Sequence, residues 1–231
     1  MKTWLHFIAD GAQYSPTEEL GLSLITQQHQ RILSVGISTA GFAEVRMALD
    51  DPQRTITATT LDQNGLGFTQ ALVDTYSLTD QIELKVEDVS SELEYTADQF
   101  DFVYARLVLH YLPKEALKKA LKNIHKILKT GGEFFIVVRS YDWQSEVSGA
   151  VYDIETGMTT YPWFDSQNNV VKQSTRQLHS VGSITSFVTE AGFKIHFVEL
   201  FSETIFGGYE RTAEKRNKLP AKLIALHVSK L

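Results

Sequence analysis

The chain has 231 residues, 43% of them hydrophobic, so it is long enough to bury an ordinary core within one domain spanning residues 1–231. It has no cysteine, which excludes disulfides and thiolate metal sites. Its formal net charge of −6 argues against nucleic acid as a generic electrostatic partner.

The sequence shows no pattern typical of a signal peptide or of a membrane-spanning helix. The apolar stretch WLHFIA near the N-terminus is too short for a signal peptide. No apolar run approaches the roughly 20 residues that a membrane-spanning helix needs. We therefore expect a cytoplasmic protein with no membrane partner; its oligomeric state is left open.

The middle of the chain alternates short apolar runs with helical patterns. The clearest helix begins at Pro113, carries an apolar stripe, and is predicted to end at Gly131 and Gly132. Strands that alternate with helices predict a parallel sheet covered on both faces. The predicted strands are RILSVG (31–36), TITATTLD (55–62), QIELKVEDV (81–89), FDFVYARLVL (100–109) and GEFFIVVRS (132–140).

The C-terminal part has a different pattern. A helical stretch ends at Gly192, and two strands follow, KIHFVELFS (194–202) and KLIALHVSK (222–230). A polar, turn-rich segment joins these strands, so they should pair antiparallel. The predicted fold class is therefore α/β, a Rossmann-like seven-stranded, mostly parallel sheet with an antiparallel C-terminal hairpin and helices on both faces.

Four landmarks follow one another in a familiar order. They are ILSVGISTAG, the acidic strand end TTLD, the turn EDV followed by FDFVYARLVLHYLP, and ILKTGGEFFIVV. In order and spacing the chain resembles a class I S-adenosylmethionine-dependent methyltransferase over nearly its whole length. The resemblance implies S-adenosyl-L-methionine as the cofactor, and we expect methyl transfer to a small-molecule acceptor.

The resemblance also implies where the cofactor lies. A carboxylate at the end of the second strand can accept both ribose hydroxyls, which suits Asp62. Asp88 is expected near the adenine amino group, with the backbone N–H of Val89. Tyr14 is a further candidate on separate grounds: it precedes a helix that begins with a capping box, Ser15 and Glu18, and its staple position holds the polar Glu19, so Tyr14 can face the cofactor. The expected cofactor contacts are Tyr14, Gly36, Ile37, Ser38, Asp62, Gln63, Asp88, Val89, Ala105 and Arg106.

The first loop departs from the family pattern, which is acidic-x-Gly-x-Gly-x-Gly. Here the four positions hold Ser34, Gly36, Ser38 and Ala40. A non-glycine residue forced to positive φ costs about 1–2 kcal/mol, which weakens a site without abolishing it. We expect a functional but atypical loop, and a non-catalytic cofactor-binding relative stays open as an alternative.

A nicotinamide-dependent reading also stays open. GISTAG matches Gly-x-Gly-x-x-Gly with serine at the middle position, so an NAD(P)-dependent oxidoreductase is conceivable. The chain contains no Tyr-x-x-x-Lys pair, and Asp62 falls late for a ribose-binding acid. These features favour the methyltransferase.

The acceptor site is expected above the carboxyl ends of the strands. Two segments are available to build it, the N-terminal cap segment 1–30 and the inserted segment 141–180, which is rich in aromatic residues. The insertion is either an aromatic-walled lid over the acceptor, with Arg176 able to pair with an acidic acceptor, or a local packing unit. The predicted acceptor residues are His110, Tyr152, Tyr161, Trp163 and Arg176.

Histidines supply the remaining candidates. His179 follows the insertion and is the hypothesised general base for an oxygen or nitrogen acceptor. No pair of histidines has the spacing of metal ligands, so we expect no metal. The acceptor atom, and the need for a base at all, are left open.

Overall fold

The structure, a computed structural model, describes residues 15–37, 41–142, 149–164, 167–203 and 221–231. These residues contain five α-helices: α1 (Pro16–Ser23), α2 (Phe42–Asp50), α3 (Gln63–Tyr76), α4 (Lys114–Ile127) and α5 (Val181–Glu190). Their ten strands are β1 (Arg31–Val35), β2 (Thr55–Thr60), β3 (Ile82–Val86), β4 (Phe100–Arg106), β5 (Leu128–Arg139), β6 (Val151–Tyr152), β7 (Met158–Phe164), β8 (Val170–Gln177), β9 (Phe193–Glu203) and β10 (Ala221–Lys230). None of these helices is long and apolar enough to cross a membrane.

Seven strands form the main sheet in the order β3-β2-β1-β4-β5-β10-β9. The first five are parallel to one another, and β10 pairs antiparallel with both β5 and β9. The helices α2, α3 and α4 each connect one parallel strand to the next along the chain, as parallel pairing requires a crossover. The predicted mostly parallel sheet with an antiparallel C-terminal hairpin is confirmed.

The central strands are buried on both faces. Leu33, Val103 and Phe134 belong to one core, which packs under α4 and α5. Their chain neighbours Ile32 and Phe102 point the other way, into a second core with α2 and α3. Side chains alternate across a strand, so two covered faces require continuous apolar runs, as the sequence shows.

The boundary between α4 and β5 differs from the prediction. The helix ends at Ile127, and Leu128 already begins the strand. Phe100 pairs with Leu128 and Phe102 pairs with Glu133, so extra residues of β5 bulge out of the ladder. Gly131 has φ +75°, which a glycine adopts without strain. Gly131 and Gly132 therefore lie in a bulge inside β5. The prediction that they end the helix is wrong.

The inserted segment forms a second, three-stranded sheet in the order β6-β7-β8, with both pairs antiparallel. Its last strand lies against a short 3-10 helix, Leu109–Tyr111, which follows β4. The backbone N–H of Lys114, at the start of α4, donates to the carbonyl of Thr156 at 3.0 Å. The small sheet is thus attached beside the carboxyl ends of β4 and β5.

Candidate cofactor and acceptor site

The ends of four parallel strands bring the predicted cofactor residues to one edge of the main sheet. Gly36 follows β1, Asp62 follows β2, Asp88 follows β3, and Arg106 ends β4. Because these strands are parallel, their carboxyl ends meet at the same edge, where ligands of open α/β sheets bind. The spacing of the sequence landmarks therefore corresponds to a common location in space.

Gly36 makes the turn out of β1. Its φ is +73°, and a Cβ at this position would lie 2.5 Å from Cγ2 of Val108. The next residue, Ile37, donates its backbone N–H to the carbonyl of Thr59 at 2.8 Å, which fixes the loop against β2. Both the backbone conformation and the contact with Val108 require glycine here. Ser38, a predicted cofactor contact, lies outside the described residues.

The helix after this loop begins at a glycine. Gly41 is the N-cap of α2, with φ +81°, and makes no side-chain capping hydrogen bond. The backbone N–H groups and the dipole at a helix N-terminus favour an anion there. This end of α2 therefore fits the carboxylate of the cofactor's methionine portion.

A carboxylate that the loop pattern lacks is present on α2. Ser34 is fully buried, and its hydroxyl donates to Oε1 of Glu44 at 2.5 Å. Glu44 is also fully buried and lies in the first turn of the helix, where the dipole favours negative charge. Sequence reasoning missed Glu44, although an acid between the buried residues Ala43 and Val45 was the available signal.

Asp62 and Gln63 are exposed at the start of α3. The backbone N–H of Asp62 donates to Oγ1 of Thr60 at 3.1 Å, and its carbonyl accepts from Leu66 at 3.2 Å. The backbone of Asp62 is therefore fixed at the carboxyl end of β2, where the residue is exposed. This geometry fits a carboxylate that accepts two ribose hydroxyls.

Asp88 has local partners. Its Oδ1 accepts from the backbone N–H of Ser90 at 2.8 Å and from the Ser90 hydroxyl at 2.7 Å. Burial acts to raise the pKa of Asp88, but the hydrogen bonds from Ser90 and Ser91 outweigh it and hold the pKa below its usual value. Val89 is buried, and its carbonyl accepts from Nδ2 of Asn123 at 2.9 Å. The Asp88–Val89 turn is thus rigid, and its contact with adenine stays a prediction.

Arg106 is occupied by other protein groups. Its side chain is only 5% exposed, and its Nη2 donates to Oε1 of Glu203 at 2.6 Å. Its Nε donates to Oγ1 of Thr17 at 2.9 Å, and Thr17 in turn donates its backbone N–H to Glu203 at 3.0 Å. Ala105, one residue earlier, is fully buried. Cofactor contacts from both residues stay predictions, and that of Arg106 would come from its backbone.

The N-terminal cap is described from Ser15 onward. Ser15 is the N-cap of α1, and its side chain accepts from the backbone N–H of Glu18 at 3.3 Å. This agrees with the capping interaction that the sequence indicates. Tyr14, the other predicted contact in this segment, lies outside the described residues.

The small sheet gathers several predicted acceptor residues on one face. Thr159 lies directly opposite Tyr152 on one side and Arg176 on the other. Directly opposed residues share a face, and so does Tyr161, two residues after Thr159. The backbone of Trp163 pairs with Lys172 in the same ladder, and its side chain lies outside the described part.

Arg176 is held by aromatic rings. Its Nη2 donates to the hydroxyl of Tyr111 at 3.1 Å, and its guanidinium lies 5.0 Å from the centre of that ring. The ring centre of Tyr161 is 5.6 Å away. Cation–π contacts of this kind favour a fixed orientation of the guanidinium. Tyr111 was missed by sequence reasoning, because its partner in β8 is distant along the chain.

The two candidate histidines are almost fully buried. Burial lowers the pKa of His179 to about 4. Burial also lowers the pKa of His110 well below its usual value, helped by the positive charges of Arg176 and Arg139. Both imidazoles are therefore neutral at pH 7. A pKa of about 4 makes His179 a weak base, so proton abstraction by His179 stays a prediction that its surroundings do not favour.

A cleft of about 500 Å³ opens between the small sheet and the start of α5. Its volume lies in the range of small-molecule sites, which are usually a few hundred Å³ or more. The lining residues are Tyr141, Tyr152, Thr159, Leu178, Ser180 and Ser183. Tyr152 is the predicted acceptor residue that lines it.

Residues 33–136, which contain the strand-end loops, match the family model described as the methyltransferase domain. The match identifies a methyltransferase domain in this part of the chain. The resemblance noted from the sequence is thereby confirmed, and the cofactor of this family is S-adenosylmethionine.

Relatives of this methyltransferase domain are distant. An uncharacterized methyltransferase of Schizosaccharomyces pombe is 26% identical over 119 residues, covering 47% of this chain and 41% of that protein, so the match spans about two fifths of the relative. A methyltransferase from Methanosarcina mazei superposes with a TM-score of 0.69 at 17% identity, covering 95% and 99% of the two chains. One from Mesorhizobium loti gives a TM-score of 0.62 at 19% identity, covering 96% and 99%. At these identities the two structures show the shared fold.

Proposed function

We propose that the chain transfers the methyl group of S-adenosylmethionine to a small-molecule acceptor bound over the carboxyl ends of β4 and β5. The observation that carries the proposal is the arrangement at the sheet edge. The left-handed turn at Gly36, the glycine N-cap of α2 and the exposed residue Asp62 all follow the carboxyl ends of adjacent parallel strands. These groups suit a cofactor that has a carboxylate at one end and a ribose at the other.

The protein's contribution to the reaction is mainly positioning. The cofactor supplies a methyl group already activated on a sulfonium. An acceptor held in line with that methyl gains rate from orientation, and a water-poor aromatic site protects the sulfonium. The proposal assigns this task to segment 141–180, whose Tyr152 and Tyr161 share a face of the small sheet. It treats residues 1–231 as one domain.

Isothermal titration calorimetry tests the cofactor first. Wild-type protein should bind S-adenosylmethionine and S-adenosylhomocysteine and should show no heat with NAD or NADP. Asp62→Ala should weaken S-adenosylmethionine binding by about 2–4 kcal/mol, through loss of two charge-assisted hydrogen bonds. Asp80→Ala is the matched control, because this exposed aspartate precedes β3 at the opposite edge of the sheet and should not alter affinity.

Each failure has a distinct meaning. Absence of S-adenosylmethionine binding by wild type would sink the proposed function, and binding of NAD in its place would select the oxidoreductase alternative. Equal affinities of wild type and Asp62→Ala would remove Asp62 from the site. Turnover is tested by release of S-adenosylhomocysteine with a low-molecular-weight metabolite extract; tight cofactor binding with no turnover would favour the non-catalytic relative.

A further inference from the structure

We propose that the acceptor carries a compact oxyanion, a carboxylate or a phosphate, which binds to Arg176 beside His110. This inference rests on the proposed function and deepens it, because it assigns the acceptor a charge and a contact. Four features of the described residues support it. Arg176 has hydrogen-bond donors without a partner, and its surroundings are basic. Two buried histidines have unpaired ring nitrogens, and a cleft adjoins these groups.

Arg176 has donors left over. Its Nη2 is used by Tyr111, but its Nε and Nη1 are shielded from solvent and have no hydrogen-bond partner. Among the described residues no carboxylate forms a salt bridge with it. Burying such donors unpaired costs free energy, and in proteins they are usually satisfied. An oxyanion is the ligand that satisfies a guanidinium best.

The surroundings of Arg176 are basic. Burial and the positive charge of Arg176 together lower the pKa of Arg139 to about 10, so the charges of the two guanidiniums act on each other. Tyr111 and Glu203 act in the opposite direction, and Glu203 is already hydrogen-bonded to Arg106 and Thr17. An anion at Arg176 would relieve the repulsion between the two arginines.

Two neutral imidazole nitrogens are also available in this region. Nδ1 of His110 and Nε2 of His179 are buried without a hydrogen-bond partner. The His110 ring lies 4.6 Å from that of Tyr111, the residue that holds Arg176. Imidazole nitrogens can donate to an oxyanion in the appropriate tautomer. The polar atoms left unsatisfied in this part of the molecule therefore cluster around one location.

The cleft gives an anionic small molecule a place to lie. Thr159, which lines the cleft, is directly opposite Arg176 in the β7–β8 ladder. Tyr152 and Tyr141 contribute rings to the same cleft. The aromatic-walled cleft thus adjoins Arg176 through Thr159, which favours a molecule that has an apolar body and one anionic group.

Three probes of one shape test the inference. Benzoate, phenyl phosphate and neutral benzamide are titrated calorimetrically into the complex with S-adenosylhomocysteine. We expect one of the anions to bind and benzamide to bind at least tenfold more weakly. Whichever anion binds more tightly identifies the group as carboxylate or phosphate.

Arg176→Gln should weaken the binding of that anion by about ten- to a hundredfold, as expected when charge-assisted hydrogen bonds are lost. Arg176→Lys keeps the charge but loses the planar donors, so its affinity for the anion should lie between those of wild type and Arg176→Gln. Lys172→Gln is the control, since this exposed lysine lies in the same strand. Thermal unfolding and the affinity for S-adenosylhomocysteine show that each variant is folded.

The inference would be overturned if the complex binds neither anion better than benzamide, or if folded Arg176→Gln and Arg176→Lys both bind it as wild type does. Either result leaves the proposed methyl transfer standing, because S-adenosylhomocysteine still binds. Failure to bind S-adenosylhomocysteine is the separate result that removes the proposed function and this inference with it.

Discussion

At the scale of single residues, two independent features of the structure require glycine at position 36. Its φ of +73° lies in the left-handed region, and its missing Cβ leaves room for the side chain of Val108. The loop after β1 is therefore braced by the segment after β4, which also leads to the 3-10 helix beneath Arg176. Under the proposed function, Gly36 thus connects the cofactor side of the candidate site to its acceptor side.

Gly36→Ala should lower both stability and affinity for S-adenosylmethionine. The backbone conformation alone costs about 1–2 kcal/mol, and the contact of 2.5 Å with Val108 adds to it. The double variant Gly36→Ala with Val108→Ala should regain the steric part only. Urea unfolding and calorimetry measure the two effects, with Gly67→Ala as the control.

Gly67 is a suitable control because a Cβ there meets no atom within 4 Å and its position is helical. Replacing it by alanine should leave stability unchanged or raise it by up to about 1 kcal/mol. Equal stabilities of wild type and Gly36→Ala would show that neither the φ nor the contact constrains the loop.

At the scale of elements, one buried ion pair ties three distant parts of the chain together. Arg106 ends β4, Glu203 ends β9, and Thr17 lies in the first turn of α1. The carboxylate of Glu203 also accepts from the Ser15 hydroxyl at 3.3 Å. The helix that begins at Pro16 is therefore held to the strand-end edge by polar contacts as well as by its apolar residues.

Glu203→Gln should destabilise the fold by about 3 kcal/mol, because it leaves the buried guanidinium of Arg106 with only the carboxylate of Glu18, 3.9 Å from its Nη1, as a counter-charge. The double variant Arg106→Met with Glu203→Leu should cost less than the single change, since no charge then remains buried alone. Glu115→Gln, which removes the exposed pair with Lys118, should change stability by less than about 0.5 kcal/mol. Chemical denaturation of the four proteins decides; equal costs for the buried and exposed pairs would contradict the account.

The elements also show what the sequence could predict. The central strands of the main sheet contain continuous apolar runs such as FFIVV, and their place in the sheet follows from the α/β pattern. The strands of the small sheet gave no such signal, because Val151, Val170 and Val171 are exposed and polar residues interrupt the pattern. The end of α4 was misplaced because a Gly-Gly pair is typical of a helix terminus as well as of a bulge.

The candidate site divides in the same way. Asp62 and Gly36 stand at strand ends and are visible in the chain, whereas Glu44 and Tyr111 acquire their importance from contacts with residues on other elements. Glu203 is 97 residues from Arg106, so no local pattern could pair them. Polar contacts between residues far apart in the chain leave no periodic pattern in the sequence, so they cannot be predicted from it.

At the scale of the whole molecule, buried histidines should make stability depend on pH. The folded-state pKa of His179 is about 4, against about 6.5 in an unfolded chain. As pH falls below 6.5, the imidazole of His179 becomes protonated in the unfolded chain. In the folded protein it stays neutral until about pH 4. Stability from this group is therefore complete above pH 6.5 and lost toward pH 4, on the order of 3 kcal/mol in all.

His179→Gln should flatten the loss of stability between pH 7 and pH 4.5, measured by urea unfolding at several pH values. His110→Gln should act in the same direction, because burial lowers the pKa of that imidazole as well. His125→Gln is the control, since this histidine is only partly buried and should change the slope much less. An unchanged pH slope in both His179→Gln and His110→Gln would refute the assignment.

The small sheet shares no strand with the main sheet in the part of the chain that the structure describes. Its contacts with the rest of the described chain include the bridge between Ser140 and His179, the hydrogen bond from Lys114 to Thr156 and the hydrogen bond from Arg176 to Tyr111. Under the proposed function, this separation has an evolutionary consequence. Substitutions on the face that carries Tyr152, Thr159 and Arg176 can redirect the enzyme to a new acceptor while the pairing that supports the methyl donor stays intact, so substrate preference and catalytic competence can drift independently.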